Sequence, residues 1–303
     1  MAFKDPGGII CPVASPLTED EKLDVQGLGV LIERILPDLD GIFVLGSTGE
    51  FALLSDETAD QAVTSTLEFV NGRLPVYVGC SDAGTKRAIM KLKRAEREGV
   101  RYVVATSSYY YMVQNQEAMY NHFIQIADGS PVPVILYNIP QNTGINLLPA
   151  TIRRLADHPN VIGLKDSTGD MFQFQEFLSL KRDDFIVMQG REQLAASSLW
   201  LGADGIVSAL PNIAPHLFRQ LFESVEAGDR SRSLEIQRSI SHLAQLFDQG
   251  YWLSGLKAAL FELGIGNGSP AQPVPRCQPE QFSTIRDLLK EHDILLEKEP
   301  TDG

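Results

Sequence analysis

Eight short apolar runs, each followed by a longer segment of helical periodicity, constrain this 303-residue chain more than any other feature. The runs fall at 8–14, 41–46, 75–80, 102–106, 133–138, 161–165, 185–190 and 205–208. They are near-continuous Val, Ile, Leu and Tyr rather than alternating, the pattern of parallel strands covered on both faces. Helical spacing fills the gaps at 23–36, 55–70, 84–98, 116–127, 148–157, 170–180, 192–201 and 213–225. The second of these opens Ser-Asp-Glu-Thr, with acids where the helix dipole favours them. Eight strand–helix repeats predict a closed (β/α)8 TIM barrel rather than an open doubly wound sheet. No G-x-G-x-x-G follows the first run, so a dinucleotide fold loses its main support.

Strand signals stop near residue 226. Helical stretches at 228–247, 251–265 and 278–293 follow, the last two separated by the loop GIGNGSPAQPVP. The expectation is a catalytic barrel over 1–225 with a C-terminal helical extension over 226–303 packed on it, its tail LEKEPTDG frayed.

Composition narrows the function. With 44% hydrophobic and 21% charged residues the chain can bury a large core. A net charge of −13 argues against nucleic acid as a partner, since phosphate binding needs clustered Lys and Arg. Cys11, Cys80 and Cys277 form neither a disulfide framework nor a CxxC pair, as suits a reducing cytoplasm. The start, Met-Ala-Phe-Lys-Asp-Pro, lacks the apolar core of a signal peptide, and no stretch is long enough for a membrane helix. The five histidines show no ligand spacing, so no metal is expected.

In such a barrel the site lies at the C-terminal ends of the strands. Lys165 ends VIGLK, beside the apolar interior, where desolvation disfavours the ammonium and leaves an amine able to attack a ketone. Equally, it could be a rim lysine paired with Asp166. Tyr137 ends the neighbouring run PVILYN and could shuttle protons, or simply be a barrel aromatic. The turn Gly46-Ser47-Thr48-Gly49-Glu50 offers hydroxyls and amides at a helix N-terminal side for a carboxylate, though a Gly-rich turn is often only a turn. Of Tyr109, Tyr110 and Tyr111, one reads as functional and two as packing.

These motifs resemble the dihydrodipicolinate synthase / N-acetylneuraminate lyase family of class I, pyruvate-type aldolases. GSTGE at 46–50, YNIPQNTG at 137–144, GLKDSTGD at 163–170 and LGADGIVS at 201–208 stand in the family's order and spacing. The resemblance implies an imine at Lys165 and proton transfer by Tyr137. It implies that Ser47, Thr48 and the amides around Gly49 bind the pyruvoyl carboxylate, with Thr48 in the proton relay. Gly190 and Val207 would line the imine pocket and Ser167 would touch substrate. Tyr111 would complete the relay across a subunit interface, usually in a homotetramer. No metal or organic cofactor is implied.

Two positions depart from the family's pattern. Synthases that condense pyruvate with aspartate semialdehyde carry an arginine where this chain has Asn142. Sialic-acid lyases carry an Asp-Glu pair after strand seven, where this chain has Arg191-Glu192. Arg191 is either a surface arginine paired with Glu192 or the cation that replaces the missing one. The motifs look closest to 2-keto-3-deoxy-sugar-acid and 4-hydroxy-2-oxoglutarate aldolases. The expected reaction is therefore reversible cleavage of a 4-hydroxy-2-keto acid to pyruvate and an aldehyde. The rivals are a condensing synthase, a dehydratase using the same imine, and a barrel that binds without catalysis.

Overall fold

A computed structural model of the chain describes residues 6–295; the extreme N-terminus and the tail expected to fray lie outside the described residues. Strands β1 (Gly8–Pro12), β2 (Gly41–Val44), β3 (Val76–Gly79), β4 (Val100–Thr106), β5 (Val134–Asn138), β6 (Val161–Asp166), β7 (Ile186–Gln189) and β8 (Gly205–Val207) pair in chain order, all parallel. β8 closes on β1 through Gly8↔Gly205 and Ile10↔Val207. The chain is a (β/α)8 TIM barrel, and each of the eight runs falls on one strand.

Alternation along the strands sorts the side chains into two apolar clusters. Ile10, Phe43, Tyr77, Tyr102, Ile135, Tyr137, Met188 and Val207 fill the barrel's lumen. Leu136, Leu164, Val187 and Ile206 face outward into a larger cluster under the helices. Burial of this kind is the main favourable force in folding, roughly 25 cal/mol for each Å² of apolar surface removed from water.

Local signals set the helix starts. Ser55 accepts from Thr58 N–H at 3.1 Å and caps Asp56–Val70, whose first turn holds Asp56 and Glu57. A cap of this type contributes about 1 kcal/mol. The single helix expected over 84–98 is shorter than its periodicity suggests. Thr85–Lys91 is helical, then the chain tightens to a 3-10 turn at Leu92–Glu96, where Arg94 reaches Asp56 at 2.8 Å and Asp60 at 2.9 Å.

After the barrel come helices Arg230–Leu243, Trp252–Glu262 and Pro279–Glu291. Their buried apolar residues, Ile236, Leu256 and Ile285 among them, belong to the same cluster as the outer faces of the strands. Gln237 fastens the first of these helices to the rim: its side chain accepts from Ala196 N–H at 2.7 Å and donates to the Glu192 carbonyl at 3.0 Å. No helix among the described residues is long and apolar enough to cross a membrane.

Candidate active site

Tyr137 and Lys165 are register partners on β5 and β6, and Met188 on β7 continues the row. All three face the lumen, so the amine and the phenol meet at its upper end. Lys165 is 5% exposed, with Nζ 3.9 Å from the centre of the Tyr137 ring and 5.6 Å from that of Phe43. Among the described residues it makes no ion pair.

Asp166 is not its partner, because alternation turns that side chain to the outer face. There it is fully buried and accepts from Asn138 Nδ2 at 2.9 Å and Thr168 Oγ1 at 2.6 Å. Burial pushes its carboxyl up to about 6, and the two donors only partly oppose the shift. The sign for stability follows from that direction. The fold favours the protonated form, so this group's contribution is full below the ordinary value of 3.8 and is lost as pH rises through about 6. Relative to Asp166→Asn, the wild-type protein should therefore lose up to about 3 kcal/mol between pH 4 and 7. Urea midpoints measured across that range test this, and a flat difference would contradict it.

Above Lys165 lies a cavity of about 290 Å³. Ser47, Thr48, Tyr137, Lys165, Ser167, Gly190, Arg191 and Val207 all line it, as do Gln141 and Asn142. Gly190 has no room for a side chain, since a Cβ would stand 1.9 Å from Ser167 Oγ and 2.9 Å from the Asp166 carbonyl. Gly49 is different. A Cβ there would meet Leu45 N and Val13 O, both at 3.1 Å, so it packs beneath the loop and is not part of the wall. Nor does a helix N-terminus stand behind the loop. The helix starts only at Asp56 and Ser55 already caps it, which leaves the loop's own groups to meet an anion.

Arg191 does not pair with Glu192. Its Nε donates to the Ser167 carbonyl at 3.0 Å, and the guanidinium makes no ion pair among the described residues. Glu192 is buried instead and accepts from Ser208 Oγ at 3.1 Å. The tyrosine cluster also divides otherwise than expected. Tyr109 packs edge-on against Phe51 at 6.0 Å, whereas Tyr110 and Tyr111 are 78% and 79% exposed and stand away from the cavity. A single chain thus does not bring Tyr111 to Lys165.

Sequence reasoning overlooked Glu192 and four wall residues from the helical extension, Ala244, Phe247, Asp248 and Trp252. It also passed over Lys257. That side chain pairs with Glu50 at 2.6 Å, both being essentially buried, and donates to the Ser15 carbonyl. Burial pushes the Lys257 ammonium below its usual range, against the pull of Glu50. A lone charge within the apolar run LSGLKAAL was the available signal, because a charge is seldom fully buried without a partner. The buried histidine nearest the strand ends, His122, contacts Thr85 and the Thr106 carbonyl and is not part of the cavity wall.

A parallel barrel whose C-terminal rim presents one buried lysine beside a phenol defines a class: carbon–carbon lyases of the class I aldolase type, which work through a Schiff-base lysine. The model of the dihydrodipicolinate synthetase family matches residues 5–292, and the chain belongs to that family. It is 34% identical over 290 residues to the 4-hydroxy-tetrahydrodipicolinate synthase of Methylococcus capsulatus, covering 95% of this chain and 99% of the relative. It is 29% identical over 288 residues to the enzyme of the same name from Archaeoglobus fulgidus, with 95% and 99% covered. A similar solved structure is that of YagE, a prophage protein of the same family from E. coli K12 in complex with pyruvate. The TM-score is 0.91 at 27% identity, covering 96% of this chain and all of that one.

Proposed function

We propose that Lys165 is the Schiff-base lysine and that the enzyme reversibly cleaves a 4-hydroxy-2-keto acid, such as a 2-keto-3-deoxy sugar acid or 4-hydroxy-2-oxoglutarate. The carrying observation is Lys165 in the lumen against Tyr137, without a carboxylate partner among the described residues. The amine adds to C2 of the keto acid and water leaves, giving an iminium that can accept an electron pair. Tyr137 takes the proton from the C4 hydroxyl, the C3–C4 bond breaks, and the aldehyde departs. Protonation of the enamine at C3 and hydrolysis then release pyruvate and restore the amine. Ser47 and Thr48 hold the pyruvoyl carboxylate, Gly190 and Val207 leave room for the imine, and Ser167 faces the substrate.

Condensation of pyruvate with aspartate semialdehyde is the second reading, and the names of the relatives favour it over cleavage. Against it stands Asn142, where such synthases carry an arginine. Besides Lys165, the cavity wall holds one cation, Arg191, and two carboxylates, Glu192 and Asp248. Hydroxyl groups can use all three, whereas a distal acid depends on Arg191. The barrel, 1–225, would carry the chemistry and the extension, 226–303, would supply the distal wall. Exposed Tyr111 suits a homotetramer in which a second copy brings the hydroxyl to the relay, in a cytoplasmic enzyme.

A coupled assay for pyruvate release over a panel of 2-keto-3-deoxy acids and 4-hydroxy-2-oxoglutarate, beside an assay for condensation with aspartate semialdehyde, separates the two readings. Cleavage of at least one panel member at a kcat/KM well above that for condensation is expected. The reverse ranking would leave the synthase. Arg191→Ala should lower kcat/KM for distal-acid substrates by roughly tenfold to a hundredfold, the equivalent of one charge-assisted bond. Neutral-tailed substrates should lose less, and equal loss on both would rule out a distal-acid contact at Arg191.

A further inference from the structure

The loop that carries Ser47 and Thr48 is bracketed by two non-glycine residues in the left-handed region, Leu45 at φ 60° and Glu50 at φ 61°. A side chain makes that conformation costly, and it persists only where the surroundings over-determine it. Around Glu50 the surroundings come from the far end of the chain. Oε1 of its buried carboxylate meets Lys257 Nζ at 2.6 Å, and Oε2 accepts the Ala271 N–H at 2.6 Å. Lys257 also donates to the Ser15 carbonyl, while Ser15 Oγ donates to the Gly49 carbonyl at 2.9 Å. One ammonium therefore holds the C-terminal end of the loop at two adjacent residues, Glu50 directly and Gly49 through Ser15. It sits in helix Trp252–Glu262, whose first residue stands in the cavity wall.

Desolvation offsets most of what a buried ion pair gains, so net stability is a poor reason for this one. Geometry is a better one. We propose that Lys257 is a positioning residue: by clamping Glu50 and Ser15 it holds 46–50 in the bend that turns Ser47 and Thr48 towards Lys165. This rests on the reading of that cavity as the pyruvoyl site.

The test is borohydride trapping at Lys165 over a range of pyruvate concentrations, with melting temperature measured in parallel. Lys257→Met should melt lower, because it strands a buried carboxylate. It should also need roughly tenfold to a hundredfold more pyruvate for half-maximal trapping, as displaced binding groups do. The double variant Glu50→Gln/Lys257→Met buries no unpaired charge, and it serves where the single variant fails to fold. It should regain melting temperature without regaining the wild-type pyruvate dependence. A double variant that traps pyruvate with the wild-type concentration dependence would overturn the positioning role. Failure of the wild-type protein to trap pyruvate at Lys165 would instead overturn the site reading itself.

Discussion

Borohydride added in the presence of pyruvate is expected to leave a reduced three-carbon adduct on Lys165 and to inactivate the protein, and Lys165→Ala is expected to abolish both effects. The loss should be complete, since without a covalent imine there is no electron sink for the C3–C4 pair. Position decides which lysine reacts. Of the described residues that line the cavity, Lys165 alone is a lysine, and it stands over the Tyr137 ring at 3.9 Å with no anion to hold its charge. Lys257 is as deeply buried but lies outside the cavity wall, against Glu50 at 2.6 Å and the Ser15 carbonyl, where a ketone bound in the cavity does not reach it. Peptide mass spectrometry locates the adduct. A modification found on Lys257, on a surface lysine, or nowhere would sink the proposed mechanism.

The barrel was legible because both faces of every strand are covered, so each strand appears as one uninterrupted apolar run. The rim followed from the barrel, and with it the cavity positions of Ser47, Thr48, Tyr137, Lys165, Gly190 and Val207. Side-chain direction was legible too, but only by applying alternation one residue further: Lys165 and Asp166 are neighbours in sequence and face opposite sides of β6. Two parts could not be read locally. Glu50 meets Ala271, 221 residues away, because the extension folds back onto the rim, and no short-range pattern encodes that return. Asp248 and Trp252 enter the cavity wall by the same route. Tyr111 is the opposite case, a residue implied by resemblance that lies exposed in a single chain and would need a second copy to take part.

Tyr137→Phe should lower turnover by roughly 10²–10⁴-fold, the range that a positioned proton-transfer group contributes. The substitution removes one oxygen and keeps the ring, which is 4% exposed and packed in the lumen among Phe43, Ile135 and Met188. The apolar packing therefore survives, and the melting temperature should change little. The ring also keeps its place under Lys165 Nζ, so the amine still reaches a bound ketone. Pyruvate should still be trapped at Lys165 at saturating concentration, only more slowly, because carbinolamine dehydration has lost its proton donor. Full adduct at saturating pyruvate without matching turnover would locate the defect at proton transfer. Activity within a few-fold of wild type, at unchanged stability, would mean that the phenol is a packing residue and that water or a hydroxyl such as that of Thr48 moves the proton instead.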